Sequence, residues 1–135
     1  MTMMNFLTKE QVKRAAKRGP KTAKKCSIEH WRQLSTATPA ELEAMANVWG
    51  AKLLGVDFCA LCGRYLGKKG CLKCPLADKY GVCNLFNSDN AWEAAVSAFD
   101  DWFFLWRTWD TPRQQLWERW KRASKRMLKQ LESLD

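Results

Sequence analysis

Five of the chain's six cysteines fall in a single stretch, in the order Cys59, Cys62, Cys71, Cys74 and Cys83. Their spacing is C-x2-C-x8-C-x2-C-x8-C, a unit that repeats every twelve residues, with Phe86 where a sixth cysteine would stand. A C-x2-C pair lets two thiolates converge on one ion from a tight turn, and Gly63 after Cys62 relieves that turn. Two such pairs supply the four sulfurs of a tetrahedral zinc site. Cys59, Cys62, Cys71 and Cys74 are therefore the expected ligands, and Cys83 competes for the place of Cys71. Zinc closed by four thiolates has no open position for water, so it is structural; Lys68, Lys69 and Lys73 beside it would offset its negative charge. Binding at small structural zinc sites contributes roughly 10 kcal/mol or more, comparable to the stability of a whole domain. That is enough to order a segment with little apolar core of its own.

Other thiol chemistries compete with zinc. Cys74-Pro75 matches the C-P ending of ferredoxin-type runs, which makes an iron–sulfur cluster the runner-up, although the tight C-x2-C-x2-C spacing of those runs is absent. Unligated or redox-switching thiols are a third reading. A disulfide frame is disfavoured, because the start "MTMMNFLTKEQ" has no basic region ahead of an apolar segment and does not read as a signal peptide. A cytoplasmic location follows as the default, and there thiols stay reduced. No apolar run approaches the roughly 18 residues needed to span a bilayer, so no membrane is expected as partner. Cys26 and His30 lie one helical turn apart and could add ligands; packing of His30 beside Trp31 is the alternative.

The elements that must position these thiols are helical. Thr8 to Gln11 ("TKEQ") matches a capping box, with Leu7 and Val12 as its hydrophobic staple, and Gly19-Pro20 stops that helix. Its apolar stripe of Val12, Ala15 and Ala16 is thin, which predicts weak adhesion to the rest. A short helix is expected from Ser27, with Ile28, Trp31 and Leu34 on one side. "TPAE" at Thr38 to Glu41 caps another, followed by Leu42, Met45, Ala46 and Trp49 at helical spacing, ending at Gly50 or Gly55. The cysteine segment shows little periodicity of its own. Beyond it, Asn90 with Glu93 suggests a cap, and Trp92, Val96, Phe99, Phe103 and Trp106 recur at three- and four-residue intervals. Thr111 with Gln114 forms a further capping box, after which Leu116, Trp120, Ala123, Met127, Leu131 and Leu134 share one stripe. These last two helices should form an antiparallel hairpin. The fold class is thus all-α: four or five helices, with a metal-tied cysteine loop between an N-terminal helical half and a C-terminal hairpin. The expected organisation is a basic helix or arm over 1–25 and a single helical domain over 26–135, containing the zinc loop (59–83) and the hairpin (88–134).

Charge narrows the function. The net charge of +9 is concentrated at +7 in residues 1–32, +4 in 59–83 and +4 in 111–135, while 33–58 carries −2 and 84–110 carries −4. A field of that sign favours phosphate or an acidic protein face. The candidate phosphate-binding residues are Lys13, Arg14, Lys17, Arg18, Lys21, Lys24 and Lys25 near the start. Lys68 and Lys69 join them from the cysteine segment, and Arg122, Lys125 and Lys129 from the last helix. A solvated basic surface is the bland alternative. Eight tryptophans is several times the usual content for 135 residues. Most should be core; Trp109 and Trp117 flank the turn before the last helix and, with Arg113, form a candidate partner surface. Catalysis is not expected. One histidine, no glycine-rich phosphate loop and no nucleophile–base pattern leave no catalytic residues to name and no small-molecule substrate.

The order C-x-L-C-x-x-Y-L, C-x-x-C-P-L and G-x-C, read at Cys59, Leu61, Cys62, Tyr65, Leu66, Cys71, Cys74, Pro75, Leu76, Gly81 and Cys83, resembles small phage and prophage cysteine-cluster proteins of unassigned role. "SIEHW" at Ser27 to Trp31 resembles their upstream segment. The resemblance covers the middle of the chain and implies a viral or prophage origin, hence a host bacterial cytoplasm, and a structural metal, but no activity. Two functions are expected. The first is a zinc-binding helical protein that associates with nucleic acid through basic surfaces. The second is an interaction factor that binds and inhibits a host complex, either transcription machinery or a CRISPR-type defence complex.

Overall fold

The computed structural model describes residues 4–55, 58–65, 74–81 and 89–134. Cys71, Cys83, Lys68, Lys69 and Lys73 lie outside the described residues. All regular structure among the described residues is helical. It comprises seven α-helices, α1 (Lys9–Arg18), α2 (Pro20–Thr36), α3 (Pro39–Trp49), α4 (Ala60–Tyr65), α5 (Pro75–Tyr80), α6 (Trp92–Phe103) and α7 (Arg113–Glu132). The all-α class is as expected, but the count exceeds the expected four or five.

Helices α1 and α2 fold back on each other about Gly19, whose φ of 150° is in the range that only glycine adopts without strain. The capping box at Thr8 and Gln11 is present, with Thr8 Oγ1 accepting the Gln11 N–H at 3.2 Å and Gln11 Oε1 accepting the Thr8 N–H at 2.8 Å. Gln33 then accepts the Leu7 N–H at 2.9 Å and donates to the Asn5 carbonyl at 3.1 Å. The start of α1 therefore lies beside the end of α2, and the pair is antiparallel. Val12, Ala15 and Ala16 are all buried. The stripe is thin, but small side chains let α1 approach both α2 and α4 closely. A Cβ at Gly63 of α4 would come within 3.0 Å of the Ala16 Cβ.

Helix α2 starts at Pro20, earlier than the expected Ser27, because proline at the first helical position leaves no donor unsatisfied there. It runs antiparallel to α7: Lys24 Nζ donates to the Leu134 carbonyl at 2.9 Å, Trp31 meets Trp120 at 6.2 Å between centroids, and Lys121 Nζ donates to the Ser35 carbonyl. Helix α6 lies along another side of α7, also antiparallel. Trp102 meets Trp117 (4.9 Å), Phe99 meets Trp120 (5.7 Å), and Gln130 Oε1 accepts the Ala91 N–H at 2.8 Å. These rings, with Leu34, Leu42, Leu53, Leu61, Leu116 and Leu131, make the core.

Several local expectations change. The buried face of α6 is Ala95, Ala98, Phe99 and Trp102, rotated from the expected stripe, so that Trp92, Val96 and Phe103 flank the core. Alanines at the contact let the α6 backbone sit close to α7. No capping box forms at Thr111: α7 begins at Arg113 after Pro112 with no side-chain cap. Asn90 is placed just before the N-cap residue Ala91, and its Oδ1 accepts the Trp92 N–H at 2.8 Å. Helix α3 ends at Trp49 with Gly50 at φ 57°, and a 3₁₀ turn continues through Leu54 to Gly55. Both candidate stops are used in succession. The cysteine segment, expected to lack helix, holds α4 and α5. They are too short for a periodicity signal, and burial of Ala60, Leu61, Leu76 and Ala77 fixes them.

Candidate nucleic-acid interface and thiol pair

The cationic candidates fall into groups that differ in environment. On α1, Lys13, Arg14, Lys17 and Arg18 are exposed, and on α2 so are Lys21 and Lys25. Helical geometry sorts the α1 cations into two rows on either side of its crest. Lys9, Lys13 and Lys17 succeed one another at one-turn intervals and lean over a groove between α1 and α4. That groove, about 520 Å³, is also lined by Glu10, Val12, Ala16, Cys59 and Gly63. Arg14 and Arg18 border a shallower crevice of about 210 Å³ toward α2, with Gln11, Ala15 and Thr22. Among the described residues, none of Lys13, Arg14, Lys17, Arg18, Lys21 or Lys25 is in an ion pair; Arg32 is paired with Glu29 at 2.6 Å. Lys24 is removed from the set, since its half-buried ammonium binds the Leu134 carbonyl at the end of α7.

Arg122, Lys125 and Lys129 are exposed on α7, opposite Trp120 and Met127, and have no ion pair among the described residues. Helix α2 lies between this row and α1. Arg64 of α4 spends one guanidinium nitrogen on the Ala16 carbonyl (3.1 Å), which draws α4 against α1.

The first C-x2-C pair stands at the start of α4. Cys59 Sγ accepts the Cys62 N–H at 3.2 Å, and Ser27 Oγ accepts the Leu61 N–H at 3.3 Å, which docks this turn on α2. A hydrogen bond from the Cys62 side chain, with further backbone and Ser27 contacts, holds the Cys59 thiol below the usual thiol range despite burial. Burial, and then the charges of Cys59 and Glu29, push Cys26 up to about 11, so it stays a protonated thiol at neutral pH. Cys74 is buried at the N-cap of α5. No group of three or more His, Cys, Asp or Glu among the described residues is placed to hold a metal ion. Cys59, Cys62 and Cys74 thus do not gather as three, and the expected metal-tied loop is not supported. The side chain of Cys74 belongs to the core, whereas the Cys59 and Cys62 pair borders solvent.

His30 is a core residue. It stacks on Phe58 (5.6 Å), meets Trp31 edge-on, and Nε2–H donates to the Leu53 carbonyl at 3.0 Å. Burial lowers its pKa to about 4, and Nδ1 has no partner among the described residues.

The expected partner surface is redistributed. Trp117 is buried against Trp102, so it contributes to the core rather than a surface. Arg113 stacks between Trp102 and Trp106, 4.8 Å from each ring, donates to the Trp102 carbonyl and pairs with Glu43 at 3.6 Å. It therefore ties the turn to α3. Trp109 is exposed, with Nε1–H reaching Asp101 at 3.2 Å. Sequence reasoning missed Val48, Phe104 and Leu105, which are exposed large apolar residues. Phe104 sits over Gly50, within 3.7 Å of where a Cβ would be. It lies five residues after Phe99, off the three- and four-residue stripe of the α6 rings.

No family model matches this chain, and neither a curated protein nor a solved structure does.

Proposed function

We propose that this is a phage-type helical protein that associates with nucleic acid through the basic faces of its helices. The observation that carries the reading is the α1–α2 hairpin. Lys13, Arg14, Lys17, Arg18, Lys21 and Lys25 project from it, exposed and without acidic partners among the described residues. Like charges held this close repel one another, and a polyanion relieves that repulsion by releasing its own counterions. Such contacts position phosphates and carry no sequence readout. Arg122, Lys125 and Lys129 on α7 extend the same field. Zinc remains part of the proposal: Cys59 and Cys62 form one preorganised two-thiol arm, and Cys71 or Cys83 would belong to the other. The ion would be structural.

The test is a salt titration with generic duplex and single-stranded DNA and with RNA. Log affinity should fall linearly with log salt, and deleting residues 1–25 should flatten the slope. Absence of binding to all three at about 50 mM salt would eliminate the reading. Elemental analysis of the purified chain addresses the ion, with near one zinc per chain expected.

A second reading, as an interaction factor that inhibits a host complex, is favoured by Val48, Phe104, Leu105 and Trp109, large apolar side chains left exposed. Phe104→Ala should abolish capture of such a partner without changing nucleic-acid affinity.

A further inference from the structure

The groove between α1 and α4 is larger than the Arg14 and Arg18 crevice, about 520 Å³ against 210 Å³, and one of its walls is a row of three lysines. Lys9, Lys13 and Lys17 are each one turn apart, so their stems leave the helix along a line about 12 Å long. Such a row can hold two or three successive phosphates of one strand. The floor is apolar or backbone, made by Val12, Ala16 and Gly63, with Cys59 at its edge. Among the described residues, Glu10 is the one acid that lines it. Lys9 is steered toward one end by Trp49, whose ring centre lies 5.0 Å from its ammonium. The opposite wall is the six-residue helix α4, and Arg64 holds it against α1 through the Ala16 carbonyl. A cleft of this size between two helices admits a single backbone with its sugars. A duplex, far wider than the cleft, reaches only the lysine tips on one side.

We infer that the α1–α4 groove is a binding site for single-stranded nucleic acid, with Lys13 and Lys17 clamping consecutive phosphates beside the Cys59 thiol. This rests on the nucleic-acid reading above and assigns it a place and a strand preference. The exposed α7 row serves as the internal control, since Lys125 and Lys129 carry the same charge and line neither of the two hollows beside α1.

The experiment uses the full chain with a twelve-residue oligo-dT, and a duplex of equal length, at about 50 mM salt. Two double variants remove the same charge from different places: Lys13→Gln with Lys17→Gln, and Lys125→Gln with Lys129→Gln. All four side chains are exposed, so unchanged thermal unfolding will certify each fold. We expect oligo-dT to bind at least tenfold tighter than the duplex. The groove pair should weaken oligo-dT binding more than tenfold and lower its salt slope by about 1.4, while the α7 pair changes it less than threefold. Photo-crosslinking of an iodouracil-substituted strand should label peptides from residues 9–17 or 59–65. Binding that is lost with the α7 pair but kept with the groove pair would overturn the groove assignment and leave the general reading standing. Equal or tighter binding of the duplex would overturn the strand preference. No binding of either oligonucleotide would remove the general reading and this inference together.

Discussion

Two antiparallel helical hairpins make up most of this molecule, and they differ in the balance of small and aromatic residues they bury. The α1–α2 hairpin turns about Gly19 and buries Val12, Ala15, Ala16 and Ala23. The α6–α7 hairpin is joined through residues 104–112 and buries Phe99, Trp102, Trp117 and Trp120. Small residues bring backbones close and leave long cationic side chains free to spread outward. In the second hairpin Ala95 and Ala98 let α6 approach α7, while Phe99, Trp102, Trp117 and Trp120 beside them supply a large apolar core. The difference suggests a division of labour, in which the second hairpin supplies stability and the first supplies surface.

That division can be broken by comparing truncations in the two hairpins. Trp120→Ala, at a fully buried ring touching Trp31 and Phe99, should cost about 3–5 kcal/mol in denaturant unfolding. Val12→Ala in the first hairpin should cost about 2 kcal/mol. Equal costs would sink the comparison.

Acid titration sharpens it at the shared helix α2, where His30 is buried. Its folded pKa of about 4 lies below its usual 6.5, so between those values the unfolded chain binds a proton that the folded chain does not. Stability should therefore decline as pH falls from about 6.5 to about 4, by roughly 3 kcal/mol at most, with no further loss from this group below that range. His30→Gln should flatten this window. An unchanged pH profile in the variant would assign the decline to carboxylates instead.

Smaller effects belong to the first hairpin. Gly19→Ala, at φ 150° with open space around it, should cost about 1–2 kcal/mol from backbone strain alone. Thr8→Ala removes the cap of α1 and should cost about 1 kcal/mol, visible as a loss of amide protection confined to the first turn. If that loss spread through α2, the two helices would be one cooperative unit rather than a frame and its facing.

The legible parts of the fold were those written in local chemistry. The capping boxes at Thr8 and Thr38, the break at Gly19-Pro20 and the stripe from Leu116 to Leu134 follow from hydrogen-bond satisfaction and helical period within a few residues. Features set by distant neighbours were not legible. Trp109 and Trp117 both looked like turn-flanking rings, yet Trp117 is buried on Trp102 and Trp109 lies exposed. Helices α4 and α5 have six residues each, too few to show a period. The candidate site divided the same way. Cation identity was evident in the chain, but only packing revealed that Lys24 is consumed by Leu134 and that Lys13 and Lys17 overlook a cleft.

By itself, the sequence determined that this chain is helical, strongly basic at both ends and furnished with two C-x2-C cysteine pairs, because period, charge and spacing act over short distances. Tertiary structure alone decided which cations border a concave surface, which rings reach solvent, and that Cys59, Cys62 and Cys74 do not gather as three. Those outcomes depend on helices far apart in the chain competing for the same apolar contacts, and no local window contains that competition.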